Sequence, residues 1–143
     1  MPDLTGGCFC DAIRYRISAD PMVVSHCHCK DCRRATGAPF ITWITLTSDG
    51  FEHTAGAPTE YHSTTAVRRG FCDQCGSTLS YRNVDHPEEI DISAATLDDP
   101  DAVTPDDHLW ISSKVSWLKF DDGLPCLESS HWEHGYPKRE KSE

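Results

Sequence analysis

Apolar and polar positions alternate over several short stretches of the chain. In AIRYRI (12–17), Ile13, Tyr15 and Ile17 are separated by arginines, the pattern of a strand with one face buried and the other wet. FITWITL (40–46) is dense in β-branched and aromatic residues, which fit a pleated, half-buried surface. RRGFC (68–72) and STLSYR (77–82) stand on either side of a cysteine pair like the arms of a hairpin. EIDISAATL (89–97) alternates again, and HLWISS (108–113) is a further strand candidate. Turn-prone SDG, AGAP, DDP and DDG fall between these runs. Helical character is scarce. Only CKDCRRATG (29–37) reads as a short helix, with Gly37 to end it. The pattern predicts one mainly β domain with little helix, its chemistry carried on loops and strand ends. From Glu128 the chain turns polar and charged. The expected organisation is a domain over 1–127 and a polar tail over 128–143 whose last residues are disordered.

Composition narrows the function classes. A chain of 143 residues suffices for one domain with a real core. Its 13 Lys+Arg against 23 Asp+Glu leave a net charge of −10. That balance argues against nucleic acid or anionic lipid as a partner, because neutralising phosphate requires a basic surface. Apolar runs such as PFITWITL (39–46) are far shorter than the roughly 20 residues of a membrane span. The start, MPDLTGGCFC, has neither the basic region nor the apolar run of a secretory leader. The expectation is a cytoplasmic protein with no membrane partner; its oligomeric state is left open. In a reducing compartment, tightly spaced cysteines point to metal rather than to disulfides.

The eight cysteines then become the main signal. They form three groups and one stray: Cys8/Cys10 in GGCFCD, Cys27/Cys29/Cys32 in CHCKDC, Cys72/Cys75 in FCDQCGS, and Cys126 alone. C-x-x-C followed by Gly is a knuckle whose tight turn aims two sulfurs at one point. C-x-C on an extended strand puts both sulfurs on one face. Cys8/Cys10 and Cys72/Cys75 are therefore two-toothed chelators, and Cys27/Cys29/Cys32 is three-toothed. Seven ligands divide into four plus three. A closed four-cysteine zinc site is structural, whereas three protein ligands leave a position open for chemistry. The rival partition joins two of the central cysteines to Cys72/Cys75. Zinc is favoured over an iron–sulfur cluster because the ferredoxin spacings are absent. Three thiolates already feed the metal with electrons, so the open site suits thiol chemistry better than water activation.

The order GGCFCDAIRY, SHCHCKDCRRATG, RRGFCDQCGSTLSYR, ATLDDP, HLWISSKVSWL and GLP resembles the glutathione-dependent formaldehyde-activating enzyme family, which also includes centromere protein V. The resemblance implies a β-tent fold holding two zinc ions. It assigns Cys8, Cys10, Cys72 and Cys75 to a structural zinc, and Cys27, Cys29 and Cys32 to a catalytic one. It implies a carbon–sulfur lyase that joins a thiol such as glutathione to a small aldehyde, giving S-hydroxymethylglutathione from formaldehyde. The alternative, from the centromeric branch, is a zinc-stabilised binding module. That reading calls for a basic extension, and the one basic cluster is KREK at 138–141. The family usually carries Gly after its first C-x-C, where this chain has Asp11. If that position needs a positive φ, Asp tolerates it better than most residues.

Other candidates follow from their neighbours. Arg33 and Arg34 adjoin the last open-site ligand; a solvated helix face is the favoured reading, with docking of substrate carboxylates the alternative, and Arg68 and Arg69 are read the same way. His26 and His28 interleave with the cysteines and offer a fourth ligand or a proton shuttle, but strand alternation argues that they point away from a metal held by Cys27 and Cys29. His108, Trp110 and Lys114 either line the site or build the sheet, the structural role being favoured. Trp43 and Trp117 are expected in the core, and Cys126 as a buried or idle thiol.

Overall fold

The computed structural model describes residues 3–137. Two sheets carry the chain. Strands β1 (Leu4–Gly7), β2 (Arg14–Ile17), β3 (Val23–Cys27), β4 (Ile41–Thr47), β5 (Phe51–Ala55), β6 (Thr59–His62), β7 (Val67–Phe71), β8 (Thr78–Asn83), β9 (Glu89–Ser93) and β10 (Asp107–Leu109) follow in sequence. Helix α1 (Lys30–Thr36) lies between β3 and β4, and the single-turn α2 (His131–His134) follows β10. The small sheet has the order β1-β2-β5, the large one β10-β3-β4-β9-β8-β7-β6. All pairings are antiparallel except β10 on β3. The fold is mainly β with little helix, as the hydrophobic pattern predicts.

Strand alternation gives the large sheet two different faces. Val24, Ile44, Leu46 and Ile92 point one way and close a core with Tyr15 and Ile17 of the small sheet. Removing these side chains from water supplies the main drive for joining the two sheets. The residues between them point the other way. Ser25 and Cys27 on β3, Trp43 and Thr45 on β4, and Glu89 and Asp91 on β9 line a cavity on the opposite face.

Cross-ties fix the small sheet. The Arg14 guanidinium makes two hydrogen bonds to the Asp98 carboxylate, at 3.0 and 2.5 Å, from the LDDP segment. The Tyr15 hydroxyl meets Thr96 Oγ1 at 2.7 Å.

Two strand expectations are shortened. EIDISAATL is a strand only to Ser93, and Ala94–Thr96 coil into a 3-10 turn. HLWISS is a strand only to Leu109; Trp110 takes φ 57, and Ile111–Ser113 form another 3-10 turn. A left-handed backbone at Trp110 cannot continue a strand. It turns the indole into the cavity wall instead. Trp117 is not core: it is 70% exposed, on an irregular segment after the last 3-10 turn. No helix among the described residues is long and apolar enough to cross a membrane.

Candidate metal and active site

The first cysteine group sits on a turn, not on a strand. Between β1 and β2 the chain reverses, with Asp11 N–H donating to the Cys8 carbonyl and Cys8 N–H to the Ile13 carbonyl, both at 3.1 Å. Asp11 takes φ 63, so this position does require the left-handed region. The C-x-C geometry therefore comes from a turn rather than from the pleat of a strand. The third group follows the expected knuckle. Gly76, at φ 80, donates its N–H to the Cys72 carbonyl at 2.8 Å. The antiparallel arms β7 and β8 flank it. Phe9 N–H donates to Ser77 Oγ at 2.9 Å, tying the two turns together.

These turns bring four sulfurs to one point. Cys8 and Cys10 Sγ are 3.6 Å apart, and Cys10 and Cys72 Sγ 3.8 Å. With Cys75 they form a set in which every pair lies within 4.8 Å. The separations are well beyond a disulfide bond, which is about 2.05 Å. Ile13 N–H donates to Cys8 Sγ at 3.3 Å, and Ser77 Oγ lies 3.2 Å from Cys75 Sγ. Such donors favour thiolates over thiols. At Cys75, the Ser77 hydroxyl and backbone hold the thiol down at about 5.

The central group is built differently. Cys27 ends β3, Cys29 is the N-cap of α1, and Cys32 lies in its first turn. The cap is a sulfur: Cys29 Sγ accepts from Cys32 N–H at 3.2 Å. Gly37 ends the helix at φ 69, its N–H donating to the Arg33 carbonyl. Cys27 and Cys32 Sγ are 3.7 Å apart, and the three sulfurs form the second set within 4.8 Å. Among the described residues no fourth His, Cys, Asp or Glu joins it. Hydrogen bonds from Cys27 and Cys29, and then the Arg69 charge, hold the Cys32 thiol far below its ordinary range. Trp43 packs with Cys27 and Cys32 in one buried cluster, against which Tyr81 and Trp110 pack.

The three sulfurs open on a cavity of about 470 Å³. Its aromatic wall comprises Trp43, Tyr81, Trp110, Trp132 and Tyr136. Lys30 and Arg69 bring positive charge to it, and Asp31, Glu89 and Asp91 negative charge. Arg69 Nη1 donates to Cys32 Sγ at 3.6 Å, and its guanidinium lies over the Tyr81 ring at 5.1 Å.

The C-terminal segment closes one side, through residues to which the sequence reading gives no role. His131 is buried, its Nδ1 donating to the Gly135 carbonyl at 2.8 Å and its Nε2 facing Asp107 at 3.2 Å and Ser25 Oγ at 3.1 Å. Tyr136 OH donates to Glu89 Oε1 at 2.6 Å, and Trp132 Nε1 to Glu89 Oε2 at 3.4 Å. No chelating motif or hydrophobic period marks this segment. Its two aromatics within five residues, Trp132 and Tyr136, are the signal that was there to find.

Of the four candidate arginines, one reaches the cavity. Arg69 lines the cavity, whereas Arg33, Arg34 and Arg68 do not. Arg34 is exposed, and Arg68 Nη1 spends its bonds on carbonyls of its own loop. Trp110 lines the cavity, but Lys114 Nζ donates to the carbonyls of Val115 and Leu118. Cys126 is exposed rather than buried.

The histidines turn away as alternation requires. His26 and His108 share a register pair on the other face of β3 and β10. There His108 Nε2 donates to Asp122 Oδ2 at 2.7 Å, and His28 Nε2 donates to His108 Nδ1 at 2.8 Å. His26 Nδ1 pairs with Thr42 Oγ1 at 2.7 Å. His26, His108 and Asp122 form a third compact set, in which His108 and Asp122 bond each other while His26 bonds Thr42 outside it. Burial pushes His28 down to about 4, so the ring is neutral. Its unpartnered Nδ1 is then a bare lone pair, cheaper to bury than an N–H without an acceptor.

Comparison with known proteins agrees with the site. The sequence profile of a family described as glutathione-dependent formaldehyde-activating enzyme matches residues 3–113. A protein of Halomonas elongata named as a putative glutathione-dependent formaldehyde-activating enzyme is 29% identical over 144 aligned positions, covering 94% of this chain and 88% of that one. An uncharacterized lyase of Schizosaccharomyces pombe is 26% identical over 84% of this chain and 87% of its own. The crystal structure of a Rhodobacter sphaeroides protein superposes with a TM-score of 0.56 at 19% identity, covering 86% of this chain and 98% of that one. That last likeness concerns the fold alone. The family match spans both cysteine sets and most of the sheet that positions them, and the chain belongs to the glutathione-dependent formaldehyde-activating enzyme family.

Proposed function

We propose that the protein is a zinc-dependent carbon–sulfur lyase of the β-tent type, acting in the cytoplasm to join a thiol such as glutathione to a small aldehyde such as formaldehyde. The division of the chain into a zinc-binding domain over 1–127 and an appended segment over 128–143 is part of this proposal; KREK lies outside the described residues. The observation that carries it is the three-sulfur set, without a fourth protein ligand among the described residues, facing a cavity large enough for a small thiol.

The donor sets fit zinc. Four sulfurs at the usual zinc–sulfur bond of about 2.3 Å in a tetrahedron stand about 3.8 Å apart. Three of the sulfur–sulfur separations are 3.6, 3.7 and 3.8 Å, and the others in the two sets lie within 4.8 Å. Cys8, Cys10, Cys72 and Cys75 would hold the structural ion, and Cys27, Cys29 and Cys32 the catalytic one. Zinc bound there supplies Lewis acidity and favours the thiolate form of a thiol that reaches it.

The protein's own residues do the rest. Trp43, Tyr81 and Trp110 keep water from the sulfurs' flanks. Lys30 and Arg69 stand where the carboxylates of glutathione need partners. The acidic residues of the cavity suit the ammonium group of the same molecule. The test is the exchange of ¹³C-formaldehyde onto glutathione, followed by NMR against the spontaneous rate. Acceleration by the zinc-loaded protein, lost on chelation, supports the proposal. A rate equal to the spontaneous one overturns it.

A further inference from the structure

The addition of a thiol to an aldehyde moves one proton, from sulfur to the carbonyl oxygen, and nothing in the cysteine sets carries it. We propose that Asp91 is the proton carrier of the reaction, with Oδ2 as the working atom. This rests on the function proposed above.

The placement comes from the sheet. Asp91 lies in register between Thr45 of β4 and Tyr81 of β8. Two residues before Thr45 on β4 is Trp43, which packs on Cys27 and Cys32. Asp91 therefore faces the same cavity as the three sulfurs. Thr45 Oγ1 donates to Asp91 Oδ1 at 2.6 Å, which fixes the carboxyl plane. Oδ2 has no hydrogen-bond partner among the described residues, yet it is not a buried orphan. A carboxyl anchored through one oxygen and open to the cavity through the other is placed to take and return a proton.

The other ionisable groups of the cavity are bonded to protein partners, out of range for proton transfer, or exposed to solvent. Glu89 has both oxygens bonded, to Tyr136 and Trp132. His131 has both nitrogens engaged. Burial pushes the Tyr81 hydroxyl up to about 12, out of range of neutral-pH proton transfer. Lys30 and Asp31 are exposed at the start of α1. Burial raises the Asp91 carboxyl to about 7, the Thr45 hydroxyl pulling against it and the charges of Glu89 and Cys32 adding to it, with His131 opposing. A group near neutrality accepts and releases a proton with equal ease.

The step balances. The S–H bond breaks and its proton passes to Asp91 Oδ2. The sulfur electron pair forms the S–C bond as the carbonyl π pair moves onto oxygen. Asp91 returns the proton to that oxygen, giving the S-hydroxymethyl product and the original carboxylate. Nothing is oxidised or reduced.

The test is the formaldehyde–glutathione exchange rate of the zinc-loaded wild type and of Asp91→Asn, which keeps an oxygen for Thr45. A second reading on the wild type alone is the titration of the ¹³C-labelled Asp91 carboxyl. The expected result is two zinc ions in both proteins, a rate about 100-fold lower in the variant, and a carboxyl midpoint near neutrality that stands without any variant. A variant within twofold of an accelerating wild type overturns the role of Asp91 alone, as does a carboxyl midpoint in the ordinary range below 5. A wild type that does not accelerate the exchange overturns the proposed function, and this role with it.

Discussion

The Arg69 guanidinium stands 3.6 Å from Cys32 Sγ and stacks over Tyr81. It comes from β7, a strand far from α1 in sequence, and reaches the three-sulfur set across the sheet. Its charge helps to hold Cys32 as a thiolate, behind the contributions of Cys27 and Cys29. Arg69→Met keeps most of the aliphatic stem and removes the charge. The expected effect is about tenfold weaker zinc binding at the central site, the size of about 1.5 kcal/mol for a hydrogen bond to a charged group. Chelator competition measures it. The four-cysteine site, whose Cys72 and Cys75 lie at the tip of the β7–β8 hairpin, should be unchanged.

Two backbone positions near the four-cysteine set are held in the left-handed region. Asp11 is at φ 63 and Gly76 at φ 80. A Cβ at Gly76 would meet nothing within 4 Å, so Gly76→Ala costs only the conformational strain, about 1–2 kcal/mol. Asp11→Gly should relieve strain and be neutral or stabilising, since the Asp11 carboxylate lies on the surface and its contact with Arg14 spans 3.4 Å. Thermal unfolding of the zinc-loaded variants separates the two directions.

The cysteine arithmetic and the hydrophobic alternation were legible because both depend on spacing within a few residues. The hairpin of RRGFC and STLSYR, the helix ending at Gly37 and the outward turn of His26 and His28 all follow from local periods. What was hidden depends on contacts between distant segments. Strands β5 and β6 carry mostly exposed residues, so no buried face marks them. β3 reads as a cluster of ligands rather than as a strand, though its VVS start is buried and Val23 and Val24 are apolar. Arg69 differs from Arg68 only in the face that alternation gives it, and that face acquires meaning only when β8 and α1 are in place. The C-terminal wall is the same case: His131 has significance through Asp107 and Ser25, each more than twenty residues away.

That wall should respond to pH. Burial opposes the charge on His131, but the Asp107 carboxylate and the Gly135 carbonyl outweigh it and hold the group above its ordinary 6.5. Asp91 and the ring of Tyr136 face it as well. A folded-state value raised above the unfolded one gives stability that is complete below about 6.5 and is lost as pH rises through the raised value. Amide exchange at residues 131–135 should therefore be slowest in mild acid and speed up more steeply toward alkaline pH than base catalysis alone explains. His131→Gln should remove that excess dependence. An unchanged excess in the variant would show that the segment is held by Tyr136, Trp132 and Glu89 without help from the His131 charge.

The division of seven cysteines into a closed set and an open one is the claim on which the rest depends. Zinc counting on the purified wild type beside Cys29→Ser tests it most directly. Two ions per chain falling to one, with the circular dichroism of the β fold retained, is the predicted result. A single ion in the wild type, or unfolding of the variant, would mean that the central cysteines hold the structure together, and the four-plus-three division would be wrong.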